Sequence, residues 1–174
     1  LGLSLLEASD LVRDGSAMRA QGAAYVNAFA GLPHEPEAGR YVASYRRDTG
    51  ETLNTFTVWG SAYGLNTTVA GPALLGVGCY RQTGDPGFLD LARAAGRRYV
   101  GAAPVSDSPV PAKDAGLALE LLAALFEDTG DEAWLDAGMV LADAVVPLYF
   151  GDDAPLPRAA TGVDLYEAQL MPSY

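Results

Sequence analysis

Two acidic residues stand in surroundings that are otherwise apolar. Asp114 follows Lys113 at the head of "PAKDAGLALELLAALFEDTGD" (111–131), and Glu167 lies between Tyr166 and Gln169 in "TGVDLYEAQLMPSY" (161–174), with Asp164 shortly before it. Two carboxyl groups, one protonated and one ionised, can donate and accept a proton within one reaction, so such a pair is the least equipment that acid–base bond cleavage needs. Each residue also has an ordinary structural place, Asp114 as a helix cap or first-turn anion and Glu167 as a solvated or ion-paired helix residue. Trp59, Tyr63 and Tyr166 offer flat apolar faces to a ligand, or equally to a core.

Other chemistries are poorly equipped. Cys79 is the one cysteine and no histidine stands near it, which makes it a small buried residue rather than a nucleophile, and no intrachain disulfide can form. His34, in "HEPE" with Glu35 and Glu37, is the one histidine, and neighbours on a single proline-rich loop converge poorly on a metal. No Ser-His-Asp set, phosphate-cradling glycine loop or cysteine cluster is recognisable, so neither metal nor cofactor is expected. The net charge of -11, with its eleven basic residues scattered, argues against nucleic acid as a partner. The sequon at Asn66 ("NTT") reads as a chance match.

The elements that must position these residues are set by a repeat. "YRQTGDPGFLDLARAAGRRYV" (80–100) resembles "FEDTGDEAWLDAGMVLADAVV" (126–146), the two Thr-Gly-Asp triplets lying 46 residues apart, and a period of that size marks stacked supersecondary units. Each triplet suits the turn of an αα-hairpin: the glycine ends one helix in the left-handed region and the aspartate, Asp85 or Asp131, caps the next. The helices that follow are amphipathic, with Phe88, Leu89, Ala92, Ala95 and Tyr99 on one face of the first. Trp134, Leu135, Leu141, Ala142 and Val145 take the same face of the second. The helices before each turn are apolar nearly all round, as inner helices packed on several sides would be, and Gly71, Gly76, Gly78 and Gly116 suggest close packing there. Glu120 lies six residues past Asp114, roughly 120° round such a helix, so it faces elsewhere and is expected to pair with an arginine of a neighbouring helix.

The chain is therefore read as mainly α, a single helical-hairpin domain over 1–174. Residues 1–65 form an irregular N-terminal part, 66–110 and 111–158 are hairpin repeats, and 159–174 begin a third. Within the first part, Leu3 to Phe29 is helix-compatible, with a break near Gly15 or Gly22. Its expected buried stripe comprises Leu5, Leu6, Leu11, Val12, Met18 and Tyr25. A β-hairpin is expected near residues 40–59, turning at Asp48-Thr49-Gly50. With 49% apolar and 19% charged residues the composition is that of a globular chain. No run reaches the eighteen or so apolar residues of a membrane span and no leader-like segment opens it. The chain as given thus reads as soluble, its compartment undetermined. Beginning at Leu1 and stopping within a helix-like stretch, it reads as a processed or partial chain.

The tandem Thr-Gly-Asp hairpins, "FLDLARAAGRRYV", "WLDAGMVLADAVV" and "PAKDAGLALELLAALFEDTG" resemble the (α/α)6 toroids known as six-hairpin glycosidases, and most closely unsaturated glucuronyl hydrolases. The resemblance covers roughly residues 60–174. It implies a toroid, or part of one, that needs other chain segments or protomers to close. It also implies a saccharide met at the mouth where inner helices begin, and cleavage of a glycosidic bond by hydrolysis or, less readily, elimination. On that view Asp114 and Glu167 are the catalytic candidates, and Trp59, Tyr63, Asn66, Asp164, Tyr166 and Gln169 the substrate-binding ones. The rival expectation is a non-catalytic helical scaffold or interaction module, since the repeat alone builds either.

Overall fold

The computed structural model describes residues 1–31, 34–35, 40–41, 46–49, 67–101, 112–150 and 158. Among them six helices pack as hairpin pairs: α1 (Gly2–Ser9) with α2 (Ser16–Ala30), α3 (Thr67–Thr83) with α4 (Pro86–Gly96), and α5 (Ala112–Thr129) with α6 (Glu132–Tyr149). The inner helices α3 and α5 lie side by side, α1 extends that row against α3, and α4 and α6 cover the outside. No helix among the described residues is long and apolar enough to cross a membrane.

The two Thr-Gly-Asp turns are the same turn built twice. Gly84 and Gly130 have φ of 72° and 66°, a conformation that a side chain makes costly. Their N–H groups donate back to the carbonyls of Tyr80 and Phe126 at 2.7 and 2.8 Å. The threonine hydroxyl closes the last helical turn, Thr83 donating to the Cys79 carbonyl at 2.7 Å and Thr129 to that of Leu125 at 2.6 Å. It also accepts from the aspartate N–H at 3.2 Å in both copies. The aspartate carboxylate in turn accepts from the N–H two residues on, Gly87 at 2.9 Å and Ala133 at 3.0 Å, which satisfies a donor that the helix start leaves open. Three residues thus stop one helix and start the next.

The core follows the two face patterns. Leu89, Ala92, Ala95 and Tyr99 are buried, as are Trp134, Leu141 and Val145, against Val69, Ala73 and Val77 of α3 and Ala118, Leu121, Leu122 and Leu125 of α5. Each fully buried leucine contributes about 1.5–3 kcal/mol of transfer free energy. A smaller cluster of Leu6, Val26, Cys79 and Phe88 joins the first hairpin to the second, with the Phe29 and Phe88 rings stacked at 6.3 Å.

Several expectations are corrected. The first 31 residues form a helical hairpin whose break falls at 10–15, close to Gly15, while Gly22 lies inside α2. A Cβ there would meet Leu6 Cγ at 2.9 Å, so the glycine lets α1 approach. Of the expected stripe Leu6 is buried and Leu5 and Met18 are half-buried, but Tyr25 is exposed, and so are Leu11 and Val12, because the chain turns before they can reach the α1 face. Leu135, expected on the buried face of α6, is 42% exposed. Close packing explains Gly78, whose Cβ would meet Leu3 Cδ1 at 2.7 Å, but not Gly71 or Gly116, around which a Cβ would find nothing within 4 Å.

The β-hairpin near 40–59 has no support. Arg40 and Tyr41, which would open it, instead pair backward with Glu35 and His34 in a two-residue antiparallel bridge, and residues 47–49 form a turn. Residues 42–45 and 50–59 lie outside the described set. Alternating Tyr, Val and Thr states a preference that becomes a sheet only where a partner strand covers it.

Candidate functional site

The first turn of α5 holds the one described site candidate. Asp114 is 3% exposed, and Ser9 is the only other polar residue among the buried ones described. A carboxylate out of water is costly, and a place in a helix first turn, at the positive end of the helix dipole, offsets part of that cost. Because α5 and α6 run antiparallel, the end of α6 returns to the start of α5 and brings Tyr149, itself buried, under the influence of Asp114. Burial first and the Asp114 charge second push the Tyr149 phenol up to about 12. It is a neutral hydroxyl, a donor, throughout the physiological range. The Tyr149 carbonyl accepts from the Arg158 N–H at 2.7 Å, which ties the chain after α6 to this end.

Tyr149 was not legible as a site residue. It lies far along the chain from Asp114 and reads as the last apolar position of an outer helix, so only the antiparallel return of α6 makes it a neighbour. Lys113, adjacent in sequence, is exposed. Glu167, Trp59, Tyr63, Asn66, Asp164, Tyr166 and Gln169 lie outside the described residues, as do Glu37 and the third inner helix expected from 159.

The other end of the inner pair carries a feature that sequence reading missed. Between α3 and α5 runs an open groove of about 340 Å³, walled by Leu74, Val77, Ala123 and Ala124 and edged by Arg81, Glu120 and Glu127. Arg81 is committed, its Nε at 2.9 Å from Asp128 Oδ2 and its Nη2 at 2.9 Å from Glu127 Oε2. That corrects the expectation for Glu120. The arginine of the neighbouring helix does pair with α5, but about two turns further along, with Glu127 and Asp128, and Glu120 is exposed.

Cys79 is buried and burial pushes its thiol up to about 11, an inert structural cysteine. Asp131 is a helix cap. No group of three or more His, Cys, Asp or Glu that could hold a metal occurs among the described residues. Compared with protein-family models, with curated proteins and with solved structures, the chain matches none.

Proposed function

We propose that this chain is part of a carbohydrate-active helical-hairpin protein that cleaves a glycosidic bond, by hydrolysis ahead of elimination, with Asp114 and Glu167 as its carboxyl pair. The observation that supports the reading is the burial of Asp114 at the end where inner helix α5 begins. Removing a carboxylate from water costs several kcal/mol, and folds keep such a group where it is compensated by partners or used in chemistry. Beside it, a tyrosine held protonated can orient the carboxylate or a sugar hydroxyl. Glu167 would complete the pair at about 5–5.5 Å for retention or about 6.5–9.5 Å for inversion. The aromatic and amide residues Trp59, Tyr63, Asn66, Asp164, Tyr166 and Gln169 would bind the saccharide.

The second reading is a non-catalytic helical scaffold, and it draws on the apolar side chains that α6 leaves in solvent. Turnover separates the two. A panel of neutral and uronic-acid oligosaccharides is incubated with the chain, reducing ends report hydrolysis, and ultraviolet absorbance of an unsaturated product reports elimination. On the first reading Asp114→Asn and Glu167→Gln each lower turnover by about 10²–10⁴-fold with the helical circular dichroism retained. Full turnover by both variants would remove these residues from the chemistry. A wild-type chain that neither cleaves nor binds any saccharide would leave the scaffold.

A further inference from the structure

Helices α4 and α6 hold the same place one repeat apart, but they are not equally covered. Across the 46-residue spacing of the Thr-Gly-Asp turns, Leu89, Ala92, Arg93 and Gly96 of α4 correspond to Leu135, Gly138, Met139 and Ala142 of α6. In α4, Leu89, Ala92 and Gly96 are buried. The hairpin that follows is what meets Gly96, where a Cβ would overlap Leu125 Cδ1 and stand 3.0 Å from Trp134 Cζ3. In α6 the corresponding positions are open: Leu135 is 42% exposed, and Gly138 and Ala142 are half-buried. Where α4 carries Arg93, ion-paired with Asp90, α6 carries Met139 at 59% exposed. Leu135, Met139 and Ala142 fall within roughly 60° of one another around the helix and form an apolar stripe. The stripe lies where α4 is met by the next hairpin.

We propose that residues 159–174 of the same chain cover this stripe, packing on α6 as the next inner helix of the array. Their starting point supports it. The Arg158 N–H donates to the Tyr149 carbonyl at 2.7 Å, so the chain that leaves α6 is back at the end of that helix when it reaches 158. Inner helices begin at this end. Helix α5 starts there because it is antiparallel to α6, and α3 runs parallel to α5, with Arg81 near the end of one reaching Glu127 and Asp128 near the end of the other. The reach is sufficient, since Leu135 lies about 21 Å along α6 from Tyr149 and a helix over 159–174 extends about 24 Å. The residue types agree as well. Val163, Leu165, Leu170 and Met171 put apolar groups on more than one side of such a helix, the pattern of α3 and α5, and 163–171 holds neither glycine nor proline. Pro172 would fall in the last turn, and α3 and α6 each carry a proline of their own, Pro72 and Pro147. The packing stands independently of any carbohydrate chemistry.

Thermal unfolding of the full chain tests it against a matched control. Val140 is as exposed as Met139 but lies about 140° round α6 from Leu135, off the stripe. Met139→Glu puts a charge under the covering helix and lowers Tm by roughly 4 °C or more, whereas Val140→Glu moves it by less than about 2 °C. Because the cover belongs to the same molecule, the wild-type Tm holds over about a hundredfold range of protein concentration. A second measurement combines Met139→Cys in turn with Val163→Cys, Leu165→Cys, Leu170→Cys or Met171→Cys, the native Cys79 being buried. On oxidation at least one pair closes a disulfide within a single chain, seen as faster migration of the monomer on a non-reducing gel. The proposal is overturned if Met139→Glu melts no lower than Val140→Glu or if Tm climbs with concentration. It is equally overturned if the cysteine pairs stay reduced or link only one chain to another, the latter placing a second molecule on the stripe.

Discussion

The substitution of glycine by alanine should have opposite signs at two helix positions of this protein, and the difference measures its interhelical packing. At Gly116, in the first half of α5 and exposed, a Cβ meets nothing within 4 Å. Only the helix preference acts there, and Gly116→Ala stabilises by about 0.5–1 kcal/mol. At Gly96, the last residue of α4, a Cβ would overlap Leu125 Cδ1 and stand 3.0 Å from Trp134 Cζ3. Leu125 is fully buried and the indole is rigid, so neither yields freely, and overpacking of this kind costs about 1–3 kcal/mol. Being terminal, Gly96 also gains less from the helix preference, so Gly96→Ala destabilises by about 1–2 kcal/mol net. For a chain of this size each kcal/mol moves Tm by about 2–4 °C. Urea unfolding followed by circular dichroism separates the pair, provided the slope with denaturant is unchanged. Adding Leu125→Val to Gly96→Ala should cost less than the two changes summed, because the trimmed side chain makes room. If Gly96→Ala proved as stabilising as Gly116→Ala, the close approach of α4 to α5 and α6 would be refuted.

Other outcomes follow from the same geometry. Asp85→Ala and Asp131→Ala should each cost about 1 kcal/mol, with asparagine restoring most of it, measured by the same unfolding assay, since the cap needs an oxygen rather than a charge. Arg81→Ala should cost under about 1 kcal/mol despite two carboxylate partners, because the ion pair is partly solvated, and its effect should shrink further in salt. Leu121→Ala, in the fully buried centre of α5, should cost about 2–5 kcal/mol. Alkaline stability should fall in two overlapping stages. Cys79 and Tyr149 are both raised in the fold, so the unfolded chain loses those protons first, and their contributions hold at lower pH and disappear as pH rises. The window for Cys79 runs from about 9 to about 11 and for Tyr149 from about 10 to about 12. Unfolding curves at stepped pH would show the upper stage removed by Tyr149→Phe.

What the amino-acid sequence determined here is local and periodic. A Thr-Gly-Asp triplet specifies its turn from within, because the hydroxyl, the left-handed glycine and the capping carboxylate act on backbone groups a few residues away. The buried faces of α4 and most of α6 were readable for a similar reason, since burial on one side imposes the helical period on the residue types. The readings that failed all concerned what an element meets. The alternating stretch after Arg40 states a strand preference without naming a partner, and Arg40 pairs backward. Leu135 has the residue type of a buried position but lacks a described neighbour to cover it. Glycines at 78 and 116 look alike in sequence, yet one faces Leu3 and the other open space. At the candidate site, Asp114 was visible as the acid heading an apolar helix, whereas Tyr149 entered only through the antiparallel return of α6. Periodicity tells a residue which way to face, and the tertiary structure alone decides what it faces, because contacts between distant segments depend on how the hairpins stack rather than on any one of them.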